Sequence, residues 1–129
     1  MLQTSKPTML IVDDEPLILR GLSDVLESEY FVVTAKSGRE TLTLLAENPG
    51  VEVILSDQRM PQMEGSEFLR EAKKLSEALR LLMTGYIRGA VLDQALRDGT
   101  VQACLSKPFG LDNLRKAIAQ AAAGAEPRC

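Results

Sequence analysis

The chain has 129 residues, of which 45% are hydrophobic and 26% charged, with a formal net charge of −3. That length suits one domain whose core is large enough to fold without a disulfide or a metal, and the balance excludes a disordered or fibrous chain. No apolar run approaches the roughly 18 residues of a membrane span, the first seven residues do not make a secretory leader, and the mild acidity argues against autonomous nucleic-acid binding.

The first apolar run, residues 8–12, contains Leu10-Ile11-Val12 and reads as a strand covered on both faces. Residues 16–28 follow as a helix with Pro16 in its first turn and Leu19, Leu22, Val25 and Leu26 on one face. Residues 30–34 are a shorter strand flanked by Glu29 and Lys36, which suits a sheet edge. Helix 37–48 carries Leu42, Leu45 and Ala46, with Ser37 as its cap and Asn48-Pro49-Gly50 as its stop. Strand 51–56, built on Val53-Ile54-Leu55, is again continuously apolar. Helix 64–75 presents Phe68, Leu69, Ala72 and Leu75, and strand 80–84 comes next. Helix 88–98, with Val91, Leu92, Ala95 and Leu96, ends at Gly99. Strand 101–106 precedes the last helix, 111–123, which carries Leu114, Ile118 and Ala121 or Ala122.

Five βα units in strict alternation imply an α/β fold: a parallel sheet with helices on both faces, joined by right-handed crossovers. Five strands fit a flavodoxin-like, doubly wound (βα)5 sheet of order 2-1-3-4-5, whose ligand site lies where the winding reverses, at the carboxyl ends of strands 1 and 3. No repeat, low-complexity stretch or interdomain linker divides the chain, so residues 1–129 read as one domain.

Histidine is absent. That excludes Ser-His-Asp and Cys-His catalysis, His-ligated metals and a phosphohistidine carrier. The two cysteines, Cys104 and Cys129, are too few for a structural zinc site, and a reducing, cytoplasmic location without disulfides is the expectation. Chemistry is left to carboxylates, hydroxyls, Lys and Arg.

The strand ends carry those groups. Asp13-Asp14-Glu15 follows strand 1, Asp57 follows strand 3, Thr84-Gly85 closes strand 4 and Lys107-Pro108 follows strand 5. The topology would bring three carboxylates together, which costs repulsion unless a cation neutralises them. Mg²⁺ suits such a cluster, because it takes one or two carboxylates, keeps waters and completes its shell with phosphate oxygens. A carboxylate nucleophile, a divalent ion, a lysine and a hydroxyl are what phosphoryl transfer onto an aspartate needs. Singly, each group has a bland reading. Asp14 before Pro16 serves as a helix cap, Asp57 opens a polar loop, Thr84-Gly85 makes a turn, and Lys107 sits on the surface before a proline. Their joint appearance at the ends of strands 1, 3, 4 and 5 favours a site.

With Leu10-Ile11-Val12-Asp13-Asp14-Glu15, Ser56-Asp57-Gln58-Arg59-Met60-Pro61-Gln62-Met63-Glu64-Gly65, Leu82-Met83-Thr84-Gly85 and Leu105-Ser106-Lys107-Pro108-Phe109, the chain resembles the receiver domains of two-component response regulators from residue 8 to residue 123. The resemblance implies that Asp57 is the phosphoacceptor for a histidine kinase or phosphotransfer protein. It implies that Asp13, Asp14, Asp57 and the backbone carbonyl of Arg59 hold Mg²⁺, and that Thr84 and Lys107 engage the phosphoryl group. A cis Lys107–Pro108 bond, a turn at Gly65 and room for the phosphoryl group beside Gly85 are further expectations. So is a regulatory rather than enzymatic role, with self-promoted phosphorylation and slow autodephosphorylation. The implied partners are the kinase and a downstream effector or an output domain outside this chain, with dimerisation through the face of the fourth helix, fifth strand and fifth helix, and neither nucleic acid nor membrane.

One position departs from the family's pattern. Receivers carry Tyr or Phe three residues before the lysine, and this chain has Cys104. A small buried hydrophobe is the plain reading of that cysteine, with a redox sensor as the alternative; Tyr86 reads first as lining the phosphate site or the loop over it, and second as a substitute for the missing ring. Three rivals stand beside the main reading. A haloacid-dehalogenase-type phosphatase needs an Asp where Arg59 stands. A degenerate receiver would act without phosphorylation, and a receiver portion of a longer regulator would lack its output. The Asp-Gln-Arg-Met-Pro and Thr-Gly-Tyr wording is similar to receivers that precede cyclic-dinucleotide phosphodiesterases or transcriptional activators.

Overall fold

A computed structural model describes residues 6–85 and 89–127. Five strands alternate with five helices: β1 (Thr8–Val12), α1 (Pro16–Leu26), β2 (Phe31–Ala35), α2 (Gly38–Glu47), β3 (Val51–Asp57), α3 (Gly65–Leu75), β4 (Leu79–Thr84), α4 (Ala90–Arg97), β5 (Ala103–Ser106) and α5 (Leu111–Ala122). The sheet is wholly parallel in order β2-β1-β3-β4-β5. This is the flavodoxin-like order expected from the alternation of elements.

The central strands are buried almost throughout, and their residues alternate between two core layers because successive side chains point to opposite faces. Met9 and Ile11 of β1, Val53 and Leu55 of β3, and Leu81 and Met83 of β4 form one core layer with Leu19 and Leu26 of α1 and Leu114, Ala117 and Ala121 of α5. Leu10, Val12, Ile54 and Leu82 face the other way, against Leu45 of α2, Phe68, Leu69 and Ala72 of α3, and Leu92 and Ala95 of α4. The continuous apolar runs are thus two half-runs, each filling its own layer. β2 is an edge, with Phe31 more than half exposed and Lys6 stacked over its ring.

Local chemistry sets the helix starts. Pro16 occupies the first turn of α1, where its missing N–H costs nothing. Ser37 caps α2 by accepting the backbone N–H of Glu40 at 3.1 Å. The Asp14 cap reading is corrected: the cap position of α1 is Glu15, whose side chain makes no capping bond, while its backbone N–H donates to Asp13 Oδ1 at 2.9 Å. Four helix positions read as core-facing are exposed instead, Val25, Ala46, Leu75 and Val91. Each lies at the margin of its apolar stripe, where the curved sheet no longer covers it. Arg88, the expected start of the fourth helix, lies outside the described residues, as do Tyr86 and Cys129.

The amino-terminal end of the sheet is closed by charge and hydrogen bonds. Arg80, in β4, is buried, and its guanidinium donates to the carbonyls of Thr100 (2.9 Å), Gly99 (3.0 Å) and Ala78 (3.2 Å). Burial alone pulls its pKa below the ordinary arginine value. Asp98, the C-cap of α4, accepts from Arg70 at 2.8 Å and from the Thr100 backbone N–H at 2.9 Å, while Lys73 bonds the Asp98 carbonyl at 2.9 Å.

Candidate functional site

The carboxyl ends of β1, β3, β4 and β5 open into a cavity of about 400 Å³ lined by Asp14, Glu15, Asp57, Arg59, Thr84, Gly85 and Lys107. Asp13, Asp14 and Asp57 each turn a carboxylate oxygen inward, and these atoms lie within 4.8 Å of one another. Asp13 and Asp57 are buried, while Asp14 faces solvent. The arrangement follows from register. Val12 pairs with Ser56, so the residues just beyond β1 and the last residue of β3 arrive side by side. Asp57 in turn pairs with Met83, which brings Thr84 to the same rim.

Lys107 reaches in from the turn after β5. Its Nζ lies 2.7 Å from Asp57 Oδ1 and 3.4 Å from Asp13 Oδ2. Its backbone N–H donates to the Thr84 carbonyl at 2.9 Å, which fixes the lysine relative to β4. The Lys107–Pro108 bond is cis, as expected. Thr84 is buried at the end of β4.

Electrostatics record the crowding. Burial raises the pKa of Asp13, and the nearby charge of Asp57 adds to the rise, against the Glu15 amide and Lys107, which oppose it. Burial pulls the Lys107 ammonium down, yet its hydrogen bond and attraction to Asp57, with the charge of Asp13, outweigh that and hold it above the ordinary lysine value. Lys107 therefore answers Asp13 and Asp57, and the charge of Asp14 adds a third carboxylate to the cluster. The surplus of hard oxygen donors around one point, with an open side, is a donor set that fits Mg²⁺.

The loop from β3 to α3 shapes the rest of the site. Met60 is buried in the core layer beneath it, and Gln62 adopts a left-handed φ of 72°. The Gly65 backbone N–H donates to the Gln58 carbonyl at 3.0 Å. A side-chain carbon at Gly65 would overlap the carbonyl oxygen of Asp57 and crowd Leu82. Gly65 was expected to serve a turn. Its actual requirement is contact, because the first turn of α3 lies directly against the backbone of the acceptor strand. Among the described residues, nothing lies within 4 Å of a side-chain carbon added at Gly85.

Every site residue singled out in the sequence reaches the cavity rim or its wall: Asp13, Asp14, Asp57, Arg59, Thr84 and Lys107. Arg59 is exposed. The sequence reading missed Gln58, described below, whose partner lies eight residues away across the loop. Cys104 is buried, as the plain reading held.

The chain matches the response regulator receiver domain over residues 9–119 and belongs to that family, the receiver domains of two-component signalling systems. It is 35% identical to the hydrogenase transcriptional regulatory protein HoxA of Cupriavidus necator over 88% of this chain and 24% of that protein. It is 34% identical to the sensor histidine kinase RcsC of Salmonella typhi over 86% of this chain and 12% of that protein. The chain thus spans a quarter or less of the length of these relatives. Its fold superposes on a response regulator receiver domain protein of Clostridium thermocellum with a TM-score of 0.79 at 31% identity, covering 94% of this chain and 96% of that one. Among the described residues no helix is long and apolar enough to cross a membrane.

Proposed function

We propose that this receiver accepts a phosphoryl group on Asp57 from the phosphohistidine of a histidine kinase or phosphotransfer protein, in a Mg²⁺-dependent reaction, and thereby switches a protein-interaction surface. The observation that carries this reading is the convergence of Asp13, Asp14 and Asp57 around one point, with Lys107 Nζ 2.7 Å from Asp57. Asp13, Asp14, Asp57 and the Arg59 carbonyl are the groups that would hold Mg²⁺. When bound, the ion offsets the carboxylate repulsion and the charge on the phosphoryl oxygens.

The residues divide the work. An Asp57 carboxylate oxygen attacks phosphorus as the bond to the donor nitrogen breaks; the donor ring, protonated on its other nitrogen, takes the electron pair and leaves as neutral imidazole, and Asp57 becomes an acyl phosphate. Lys107, 2.7 Å from Asp57 Oδ1, neutralises the transferred charge. Thr84 supplies a hydroxyl to the new phosphoryl group, and that contact differs between the free and phosphorylated states, as a two-state switch requires. The readout is the face of α4, β5 and α5, which serves an effector or a second copy of the chain. The same groups support slow autodephosphorylation, so the role is regulatory rather than that of a dedicated enzyme.

HoxA and RcsC are a transcriptional regulator and a sensor kinase by name. By likeness to them, residues 1–129 act as one phosphoacceptor domain whose output lies in a partner or another domain. A cytoplasmic setting without direct contact to nucleic acid or membrane goes with this reading. The test is labelling by acetyl phosphate. Wild type takes up one phosphoryl group only with Mg²⁺, and Asp57→Asn takes up none. Stoichiometric labelling of Asp57→Asn at another residue overturns the assignment.

A further inference from the structure

Gln58 follows the acceptor strand and is half-buried, yet its side chain does not point at the cavity. Its Oε1 accepts the backbone N–H of Ser66 at 2.8 Å, and its Nε2 donates to Ser66 Oγ at 3.1 Å. Ser66 is fully buried in the first turn of α3. That N–H is one of the unpaired donors at a helix start, ordinarily satisfied by a side chain at the cap position. Glu64 holds the cap position here, and Gln58 caps the helix from eight residues upstream. The Gln58 backbone is committed as well. Its N–H donates to the Met83 carbonyl at 3.1 Å, and its carbonyl accepts from Gly65 at 3.0 Å.

Four hydrogen bonds therefore tie one residue to β4 and to two residues of α3. They close the base of a loop whose second residue is Arg59. The loop has two other anchors, Met60 in the core and Met63, whose side chain lies against Gly38 of α2. Neither acts on Arg59 from its amino side. Gln58 does, through the peptide bond that joins them.

We infer that Gln58 is a positioning residue for the cation site: its side-chain clamp on Ser66 fixes the direction of the Arg59 carbonyl and the distance of α3 from Asp57. This rests on the reading of Asp13, Asp14, Asp57 and the Arg59 carbonyl as Mg²⁺ donors. Groups that orient a ligand without touching the metal change affinity by about tenfold or more when removed.

The test is Mg²⁺ affinity of the full chain by titration calorimetry, well below the melting temperature. Gln58→Met keeps the length of the side chain and removes both hydrogen bonds. It is expected to weaken Mg²⁺ binding about tenfold. The labelling rate with acetyl phosphate should return to within about twofold of wild type at saturating Mg²⁺. Ser66→Ala loses only the hydroxyl contact and should weaken binding by less. The double variant should bind like Gln58→Met, since the two residues act as one contact. If Gln58→Met does not fold, Gln58→Asn, one methylene too short for the clamp, replaces it with the same expectation. A lowered melting temperature with unchanged Mg²⁺ affinity overturns the inference and leaves Gln58 a helix cap only. A wild-type chain that binds no Mg²⁺ overturns the cation reading itself, and this inference with it.

Discussion

At the carboxyl ends of the strands, three carboxylates crowd together and two of them, Asp13 and Asp57, share the ammonium of Lys107. At the opposite end a single guanidinium, that of Arg80, is surrounded by three carbonyls, and Asp98 beside it meets Arg70 and the Thr100 amide. Both ends bury charge. At the Arg80 end every donor of the guanidinium's inner edge has an acceptor, so burial is compensated and the charge knits β4 to the segment that enters β5. At the Asp57 end the negative charge exceeds its partner, so burial is left uncompensated until something cationic or transferable arrives. The same sheet thus carries a settled end and an unsettled one, and chemistry belongs to the second.

The contrast is sharpest in variants that remove one charge from each end. Arg80→Met leaves three buried carbonyls without their donor and should cost about 2–3 kcal/mol. In a domain this size that lowers the melting temperature by roughly 10 °C. Labelling of Asp57 at 20 °C should stay within about twofold of wild type. A large loss of labelling in a folded Arg80→Met would join the two ends into one functional unit and break the comparison.

Asp13→Asn should have the opposite sign. The folded-state pKa of Asp13 is raised, so its ionised form at neutral pH disfavours the fold. Asparagine keeps an acceptor for the Glu15 amide and removes the charge. In EDTA at pH 7 the variant should be more stable than wild type by urea unfolding. The gain should fade as pH falls from the raised folded-state pKa toward about 4 and be absent below that, where the carboxyl is protonated in folded and unfolded chain alike. With Mg²⁺ the order should reverse, because the ion stabilises only the form that binds it.

Asp98→Asn should give the smallest effect. The hydroxyl and amide of Thr100, and then Arg70, hold the Asp98 carboxyl well below the usual carboxylate range. A depressed folded pKa contributes stability above the unfolded value and loses it as pH falls. Asp98 is partly exposed, so screening leaves about 1 kcal/mol or less. Wild type and variant should differ at pH 7 and converge between about pH 4 and pH 2.

The sequence was most legible where physics is local. Continuous apolar runs located β1, β3 and β4, and Ser37 and Pro16 located two helix starts. The site residues were legible because parallel topology carries every strand end to one rim, so Asp13, Asp57, Thr84 and Lys107 needed only the strand order to meet. What escaped was set across space. Strand β5 starts two residues later than its apolar run, at Ala103, because the Val101 N–H is taken by the Ala95 carbonyl. Arg80 read as the polar start of a strand, since its three carbonyl partners lie 2 to 20 residues away. Gln58 gave no signal beyond being a polar residue after a buried strand.

The contact between Gly65 and the Asp57 carbonyl has a consequence for how this domain tolerates sequence change. In a saturation library at position 65, alanine already places its methyl carbon against main-chain oxygen, which cannot rotate away as a side chain would. Selection for folded protein should therefore return glycine almost alone. The same library at Gly21, where an added carbon meets nothing, should return many residues. The ratio of survivors at the two positions would measure how closely the backbone of α3 is moored to the acceptor strand, without reference to phosphate, metal or partner.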